Sequence, residues 1–323
     1  MRIHLDTDLG TSVDDLAALL MVLGWPGVEL AGITTCIDPG GQRAGYVAHV
    51  LEQAGRGEVP VAAGAEISLT TRRLPGELAT GPAYWPEPVA PVPAPAGSAL
   101  ALLAASIDAG ATAVAIGPAT NLALLGVERP ATLARAEVVM MAGWFDAGTG
   151  ADAGLPPWGP ARDWNVQCDT RAAEVVASGA GRLTLVPLSL TRRVHLRRRD
   201  LPRLEAAGPL GQLLARQARV QAEQRATPDL ALEHSGLPGD LLAFHHDPLT
   251  VAVALKWPGV TVAERRLTPV TEAGILHFAG CSEGDDRPEH GRPVAVAVDV
   301  DAPAFAERWL AAVVAVTGPD QKR

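Results

Sequence analysis

The sequence predicts an α/β fold in which a central, mostly parallel sheet with a Rossmann-like core is flanked by helices. Apolar runs of strand length alternate with segments of helical periodicity along the 323 residues, as is typical of this fold class. Apolar residues make up 48% of the chain, and a chain of this length can bury a large core. We therefore expect residues 1–323 to form a single domain.

The predicted strands are short apolar runs bounded by glycine, proline or polar residues. The first strand is RIHLDTD, and VELAGITTC, which begins at Val28, is the second. Further buried strands are predicted at 59–64, 111–118, 136–143 and 182–190. Near the C-terminus, 261–270 and 292–301 predict a small peripheral β-hairpin, and a closing helix follows from about Pro303.

Helical patterns lie between these strands. The first runs from Asp14 to about Gly24, where WPG ends it. Further helices are predicted at 42–54, 98–109, 119–126, 170–178, 199–223 and 240–256. The segment from Phe145 to Trp164 is too long and too rich in glycine and proline for a simple turn. Because long loops in compact domains are often binding loops, we expect this one to border a site.

Composition excludes several classes of function. The net charge of −9 argues against a nucleic-acid or anionic-membrane partner. No stretch is long and apolar enough to span a bilayer, and the N-terminus shows no signal-peptide pattern. The three cysteines lie far apart without ligand-like spacing, so neither a disulfide framework nor a zinc cluster is expected. We predict a cytoplasmic location.

The stretch HLDTDLGTSVDDLAALLMVLG concentrates negative charge at the start of an apolar helix. It contains Asp6, Asp8, Asp14 and Asp15 within ten residues. Carboxylates this close repel one another and lose hydration when they are buried. Asp14 and Asp15 alone would suit the positive end of a helix dipole, but Asp6 and Asp8 end a strand, which needs no cap. Because carboxylates suit Ca²⁺ or Mg²⁺, the cluster predicts a divalent cation.

Two distant segments supply further polar candidates. AFHHDPLTVAVAL carries His246 and Asp247 among apolar residues, and RDWNVQCD carries Asp163 and Asn165 just before a helix. Taken alone, the first pair fits a hydrogen-bonded core histidine with a capping aspartate. Asp163 and Asn165 alone likewise give no specific indication of function. The residues by themselves therefore leave a structural role and a functional role open for both pairs.

The order of several motifs resembles that of one enzyme family. DTDLG…DDLAALL is followed by ELAGITT, VPVAAG, GPATNLA, VVMMAG, DWNVQCD and HDP. In this order and spacing, the sequence is similar to the inosine–uridine-preferring nucleoside hydrolases along nearly the whole chain. The resemblance implies hydrolysis of the N-glycosidic bond of a nucleoside to free base and ribose. It also implies a tightly held Ca²⁺ that binds the ribose diol and a water molecule, and a homodimer or homotetramer.

The resemblance also assigns a role to individual residues at the metal. It implies that the Ca²⁺ ligands are Asp8, Asp15, Asp247 and the main-chain carbonyl of Ile116. Asp8 would in addition accept a proton from the attacking water. Negative charge around the ribose favours the oxocarbenium-like sugar through which glycosidic cleavage passes, so these roles agree with the physical requirement of the reaction.

The resemblance places other residues around the substrate. Asp14, Asp163 and Asn165 would hold ribose hydroxyls, with Asp6 behind Asp14. The family usually has glutamate where this chain has Asp163. His246 would protonate the leaving base, a step that general acids accelerate by about 10²–10⁴-fold.

The chain also departs from the family pattern near the substrate. The loop between Asp8 and Asp14 is longer by two residues, and Asp38 lies near the place where the family has an asparagine. Trp85 and Trp158 lie in segments that are predicted to surround the site. These rings either pack the loops or stack on the base, and we predict them as substrate contacts that favour a large, flat leaving group.

Two alternative functions remain open from the sequence. A haloacid-dehalogenase-like phosphatase also begins with a strand and D-x-D, but it needs a phosphate-holding lysine, for which Lys256 is the only plausible residue. A calcium-dependent nucleoside-binding protein of the same fold could have lost the chemistry. Release of free ribose distinguishes the enzyme from such a binding protein.

Overall fold

The computed structural model describes residues 1–10, 12–70, 78, 81–145, 152–280 and 291–317. Within these ranges the strands are β1 Arg2–Thr7, β2 Glu29–Thr35, β3 Val61–Ala63, β4 Thr112–Ala115, β5 Glu137–Met141, β6 Arg182–Val186, β7 His195–Arg197, β8 Leu241–Phe244, β9 Val260–Glu272, β10 Ile275–Gly280 and β11 Arg292–Val300. The α-helices are α1 Val13–Leu23, α2 Gln42–Gln53, α3 Ser98–Asp108, α4 Thr120–Glu128, α5 Pro130–Leu133, α6 Trp164–Cys168, α7 Thr170–Gly179, α8 Leu188–Thr191, α9 Leu201–Ala206, α10 Pro209–Gln224, α11 Thr227–Glu233, α12 His246–Ala254 and α13 Ala302–Thr317. Short 3-10 helices span Pro39–Gly41, Pro160–Arg162 and Arg198–Asp200.

The sheet order confirms the predicted fold class. In the described residues, nine strands form one sheet in the order β10-β9-β11-β6-β5-β4-β1-β2-β3, and β7 and β8 form a small antiparallel pair. The six N-terminal strands are parallel. The chain runs outward from β1 to β3 and then returns to β4 on the other side of β1. Ligands of open α/β sheets bind beyond the carboxyl ends of the strands at such a reversal of order.

The C-terminal strands belong to the main sheet, which differs from the predicted peripheral hairpin at 261–270 and 292–301. β11 pairs in parallel with β6 and antiparallel with β9, and β10 extends the edge. The reason is burial, because Val294 and Val296 of β11 lie in the same apolar cluster as Leu183 of β6. The two predicted segments do pair antiparallel, as β9 and β11, and the tight hairpin at this edge joins β9 to β10.

Two of the predicted helices are interrupted. The predicted helix 240–256 begins as strand β8, because the run LLAF is buried on both faces and pairs with β7. A short apolar run of this kind cannot be assigned to strand or helix from its periodicity. The predicted helix 199–223 is divided into α9 and α10 at Gly208, which has φ of 110°. No helix within the described ranges is long and apolar enough to cross a membrane.

Helix α1 is buried on every side. All eleven of its residues, Asp14 and Asp15 included, are buried, which is typical of a helix enclosed by the core and not one lying on its surface. It packs against α12 and α13, and the indole nitrogen of Trp309 donates to the carbonyl of Ala17 at 3.2 Å. This enclosure fixes the position of the acidic residues in the first turn of α1.

The histidine of β1 is a buried structural group. The Nδ1 atom of His4 lies 2.9 Å from the Ser106 hydroxyl, and Nε2 lies 3.0 Å from the Thr34 hydroxyl. Burial lowers the pKa of His4 from 6.5 to about 3. The folded protein therefore binds a proton at His4 only at a much lower pH than the unfolded chain does.

This difference in pKa makes stability depend on pH. Between about pH 6.5 and pH 3 the unfolded chain binds more protons at His4, so the free energy of unfolding falls as the pH decreases through this range. We expect His4→Gln to reduce that slope by up to about 1.4 kcal/mol per pH unit. Urea unfolding at several pH values measures the slope. An unchanged slope in His4→Gln would mean that folded His4 takes up protons as readily as unfolded His4.

Candidate active site

A cavity of about 580 Å³ opens beyond the carboxyl ends of β1, β4 and β5. Nine of the ten residues that the sequence predicts for the site line this cavity, and Trp85 does not. The nine are Asp8, Asp14, Asp15, Ile116, Trp158, Asp163, Asn165, His246 and Asp247. Residues from both halves of the sequence therefore meet at the place where the strand order reverses.

The point of reversal brings Asp8 and Ile116 together. Asp8 directly follows β1 and Ile116 directly follows β4. The amide of Ile116 donates to the carbonyl of Asp6 at 2.9 Å and so joins the ends of the two strands. The next residue must be glycine, because a Cβ atom at Gly117 would lie 2.7 Å from Oδ1 of Asp8 and 2.8 Å from Sγ of Cys36. Gly117 thus allows the loop after β4 to approach the Asp8 carboxylate.

Three carboxylates form the cluster best suited to a metal in the described residues. Oxygen atoms of Asp14, Asp15 and Asp247 all lie within 4.8 Å of one another, and all three residues are buried. They occupy the first turns of α1 and α12, whose dipoles favour negative charge. The cluster includes Asp14, which the sequence predicts as a ribose contact, whereas Asp8 lies beside the cluster and lines the same cavity.

The carboxylates strongly perturb one another. Burial raises the pKa of Asp8, Asp15 and Asp247, and the negative charge of Asp14 raises all three pKa values further. The hydroxyl of Thr7, which donates to Asp15 at 2.5 Å, lowers the Asp15 pKa in part. This set of buried, mutually repelling oxygen donors fits a hard divalent cation, and it disfavours full ionisation without one.

A buried arginine, which the sequence reasoning missed, lies beside the cluster. The Nη1 atom of Arg43 donates to the carbonyl oxygens of Asp8 and, at 3.2 Å, Leu9, and its Nε atom donates to the carbonyl of Ile37 at 2.9 Å. Its charge lowers the pKa of Asp8, against the larger effect of burial. A single arginine in a predicted helix gives no signal of this role in the sequence.

Asp38 has a structural role that the sequence left open. Its carboxylate accepts from the amides of Arg43 and Ala44 at 2.8 and 3.0 Å and from the Thr35 hydroxyl at 2.7 Å. These bonds satisfy amides at the start of α2. Asp38 does not line the cavity, so its hydrogen bonds serve the loop that positions Arg43.

Asp6 does not line the cavity and is bound to neighbouring polar side chains. Its Oδ1 atom accepts from the Thr34 hydroxyl at 2.5 Å and from Nδ2 of Asn121 at 2.7 Å. Asn121 also donates to the carbonyl of Thr35 and accepts from the amide of Ala65, both at 2.9 Å. Burial raises the pKa of Asp6 to about 7. Asn121 thereby links the ends of β1 and β2 to the start of α4, a role that the motif GPATNLA alone does not reveal.

Asp163 and Asn165 line the cavity and are both bound to the main chain. The carboxylate of Asp163 accepts from the amides of Gly143 at 2.6 Å and Val166 at 3.2 Å, and burial raises its pKa to about 7. Nδ2 of Asn165 donates to the carbonyl of Ile116 at 2.9 Å and of Met141 at 3.2 Å. These bonds fasten the end of the long loop to the ends of β4 and β5.

The other part of the long loop is fastened by a buried arginine. Nη2 of Arg192 forms an ion pair with Asp152 at 2.8 Å, and Nη1 donates to the carbonyl of Pro156. The guanidinium also lies over the ring of Trp144, 4.7 Å from its centroid. The segment that leads to Trp158 is therefore anchored to α8 by charge as well as by packing.

His246 faces the cavity and its neighbour does not. Nδ1 of His246 lies 2.7 Å from the hydroxyl of Thr191, and the ring stacks on Phe244 with centroids 5.4 Å apart. Burial lowers the pKa of His246. His245 is buried against Trp309 at 4.2 Å, and its ring nitrogens have no hydrogen-bond partner in the described part of the chain. Of these two neighbouring histidines, only His246 lines the cavity.

The two predicted tryptophan contacts have different surroundings. Trp158 lines the cavity and meets the ring of Phe244 edge-on at 5.2 Å. Trp85 is 3% exposed, stacks on Tyr46 of α2 with centroids 4.3 Å apart, and does not line the cavity. The predicted substrate contact of Trp85 is therefore corrected, because this ring packs its own loop against α2.

Comparisons with known proteins agree with this geometry. The family model described as inosine-uridine preferring nucleoside hydrolase matches residues 3–307. The chain is 30% identical over 277 residues to the pyrimidine-specific ribonucleoside hydrolase RihA of Salmonella paratyphi A, a match that covers 82% of this chain and 83% of that protein. A solved plant nucleoside hydrolase has a TM-score of 0.78 at 22% identity, covering 97% of this chain and 98% of its own. A purine-preferring ribonucleoside hydrolase from Gardnerella vaginalis has a TM-score of 0.75 at 22% identity, covering 98% and 99%.

The repulsion within the carboxylate cluster predicts that Asp247→Asn stabilises the protein in the absence of a cation and reduces the stabilisation that a cation provides. In chelator, Asp247→Asn should raise the melting temperature, because it removes one buried, repelling charge. With CaCl₂, the wild type should gain stability by about 2.7 kcal/mol at a free concentration about 100 times Kd. The variant should gain much less.

Differential scanning fluorimetry in chelator and in CaCl₂ measures both effects. Asp299→Asn, which changes an exposed aspartate outside the cavity, should respond to the cation as the wild type does. An equal calcium-dependent gain in Asp247→Asn would contradict a metal site at this cluster.

Proposed function

The chain belongs to the inosine–uridine-preferring nucleoside hydrolase family and hydrolyses the N-glycosidic bond of ribonucleosides, and from this premise we propose that Ca²⁺-dependent cleavage takes place in the cavity beyond β1 and β4. Membership of the family decides against the phosphatase alternative. The observation that carries the proposal is the buried cluster of Asp14, Asp15 and Asp247, which shares one cavity with His246 and Trp158. The cytoplasmic location and the homo-oligomeric state stay predictions.

The carboxylate end of the cavity is suited to the ribose. When bound, Ca²⁺ would supply the positive charge that holds the ribose diol and lowers the pKa of the attacking water. We assign its ligation to Asp8, Asp15, Asp247 and the carbonyl of Ile116. Asp14, whose oxygens belong to the same cluster, is placed to accept a hydrogen bond from a ribose hydroxyl.

Asp8 is the proposed proton acceptor. Its carboxylate ends β1 at the cavity, and burial raises its pKa, so that it holds a proton more readily than an exposed aspartate does. The surrounding carboxylates also favour the positive charge that develops on the sugar as the glycosidic bond breaks. The same negative charges therefore serve both the water and the departing ribosyl group.

Other residues of the cavity are suited to the base. His246 is held in place by Thr191 and by stacking on Phe244, and we propose that it donates a proton to the leaving base. The ring of Trp158 offers a flat apolar face beside it. Asn165 and Asp163 keep the loop that bears Trp158 close to the ends of β4 and β5, and we retain both as ribose contacts.

A reducing-sugar assay over a panel of nucleosides tests the activity directly. The wild type should release ribose in CaCl₂ and lose this activity in chelator. Asp8→Asn should lower kcat by about 10²–10⁴-fold, because the proton of the water loses its acceptor. Asp299→Asn is the control, with activity equal to the wild type. Release of ribose at the wild-type rate by Asp8→Asn would refute the proposed role of this residue.

The different surroundings of two tryptophans predict separable effects. Trp158→Ala should raise KM for nucleosides roughly tenfold, since stacking on one base contributes about 1–3 kcal/mol. Trp85→Ala should leave KM unchanged and lower the free energy of unfolding by about 3–5 kcal/mol, because it opens a cavity beside Tyr46. Steady-state kinetics and urea unfolding of both variants measure these effects. A change of KM in Trp85→Ala alone would reverse the assignment.

A further inference from the structure

The cavity lining carries charges of both signs. Its aspartates are Asp8, Asp14, Asp15, Asp163 and Asp247. The cationic residues that line its described part, histidine apart, are Arg162 and Arg225. The proposed ribose site uses the aspartates and assigns no role to the two arginines.

Arg162 lies at the end of a row of rings. Its guanidinium is 5.4 Å from the ring centroid of Trp158, which meets Phe244 edge-on, and Phe244 in turn stacks on His246. In the described ranges no carboxylate lies within ion-pair distance of Arg162. The neighbouring Asp163 directs both of its oxygens to main-chain amides instead. Arg192, by contrast, is buried beside the long loop and forms an ion pair with Asp152 at 2.8 Å.

Arg225 approaches from a different element. It follows the last turn of α10, whereas Arg162 ends the 3-10 helix that precedes α6. The charges of both arginines lower the pKa of His246, and the charge of Arg225 also lowers the pKa of Asp8. Two guanidinium groups from separate parts of the fold thus line the cavity in which the leaving base must lie.

We propose that this hydrolase selects ribonucleosides whose base carries a negative charge, such as a carboxylate, and that Arg162 and Arg225 bind that charge. The inference rests on the proposed function, because it places the ribose at the carboxylate cluster. Two cations that face one cavity repel each other, and an anion between them removes the repulsion. Guanidinium groups bind carboxylates through paired, charge-assisted hydrogen bonds. Trp158 would meanwhile stack on the flat ring that bears the charge.

A matched pair of substrates isolates the charge. Orotidine is uridine with a carboxylate on the base, so the two compounds share the ribose and the pyrimidine ring. We expect kcat/KM for orotidine to exceed that for uridine by about tenfold or more, the size expected for a hydrogen bond to a charged group. Uridine 5′-monophosphate is the third substrate, because it places the negative charge on the sugar. A preference for the monophosphate over orotidine would overturn the assignment of the charge to the base.

Arginine variants test which residues bind the charge. Arg162→Gln and Arg225→Gln should each lower kcat/KM for orotidine about tenfold and change kcat/KM for uridine less than about threefold. Arg56→Gln, which replaces an arginine outside the cavity, is the control and should match the wild type with both substrates. Equal losses with both substrates in the cavity variants would refute charge recognition and leave a structural role.

A second readout separates this proposal from the proposed function. Shifts of the melting temperature by orotidine and by uridine, measured in CaCl₂, report binding without turnover. If no nucleoside releases ribose, the proposed catalytic site fails, but a larger shift with orotidine that Arg162→Gln abolishes would still support charge recognition. If ribose is released from uridine and orotidine equally and the two shifts are equal, the hydrolase assignment stands and the inference about the anion is refuted.

Discussion

The repulsion among buried carboxylates is the constraint on which the rest of the structure depends. Asp8, Asp15 and Asp247 are pushed toward protonation by burial and by one another. The fold offsets this cost with two helix N-termini, a hydroxyl from Thr7 and the charge of Arg43. These contributions do not fully offset the repulsion among the carboxylates. A divalent cation is the group whose size and hardness match the cluster. The apolar enclosure of α1 keeps the acids from relaxing toward solvent.

The topology explains why residues so distant in sequence share this cluster. The strand order reverses between β1 and β4, so the loops after these strands diverge and leave a crevice. Helix α1 follows β1 directly and α12 packs against it, which brings Asp247 to Asp15. Gly117 permits the close approach of the two loops. The acidic end is therefore built on elements that the core fixes, and precise placement of ligands requires such rigidity.

Much of this organisation could be predicted from local pattern, and the remainder depends on contacts that local pattern does not encode. Strand ends and helix starts can be predicted from the sequence, and Asp8, Asp14 and Asp15, which follow β1 and begin α1, all line the cavity. The partner of a residue across the fold was not readable: nothing near Arg43 indicates that it binds the loop of Asp8. Similarly, Trp85 and Trp158 both lie in proline-rich loops, and only the packing of Trp85 on Tyr46 separates them. Strand β8 shows the same limit, because an apolar run of four residues fits either secondary structure.

The acidity of the whole chain bears on the charge of the substrate. A net charge of −9 repels an anion at long range, which at first argues against recognition of an anionic base. At physiological salt, however, exposed charges farther apart than about 8 Å are largely screened, whereas contacts inside a cavity are screened much less. The field inside the cavity is then set mainly by the groups that line it, and Arg162 and Arg225 are among these. The proposed selection of an anion and the proposed binding of a cation are both local properties of this cavity, and neither depends on the net charge of the chain.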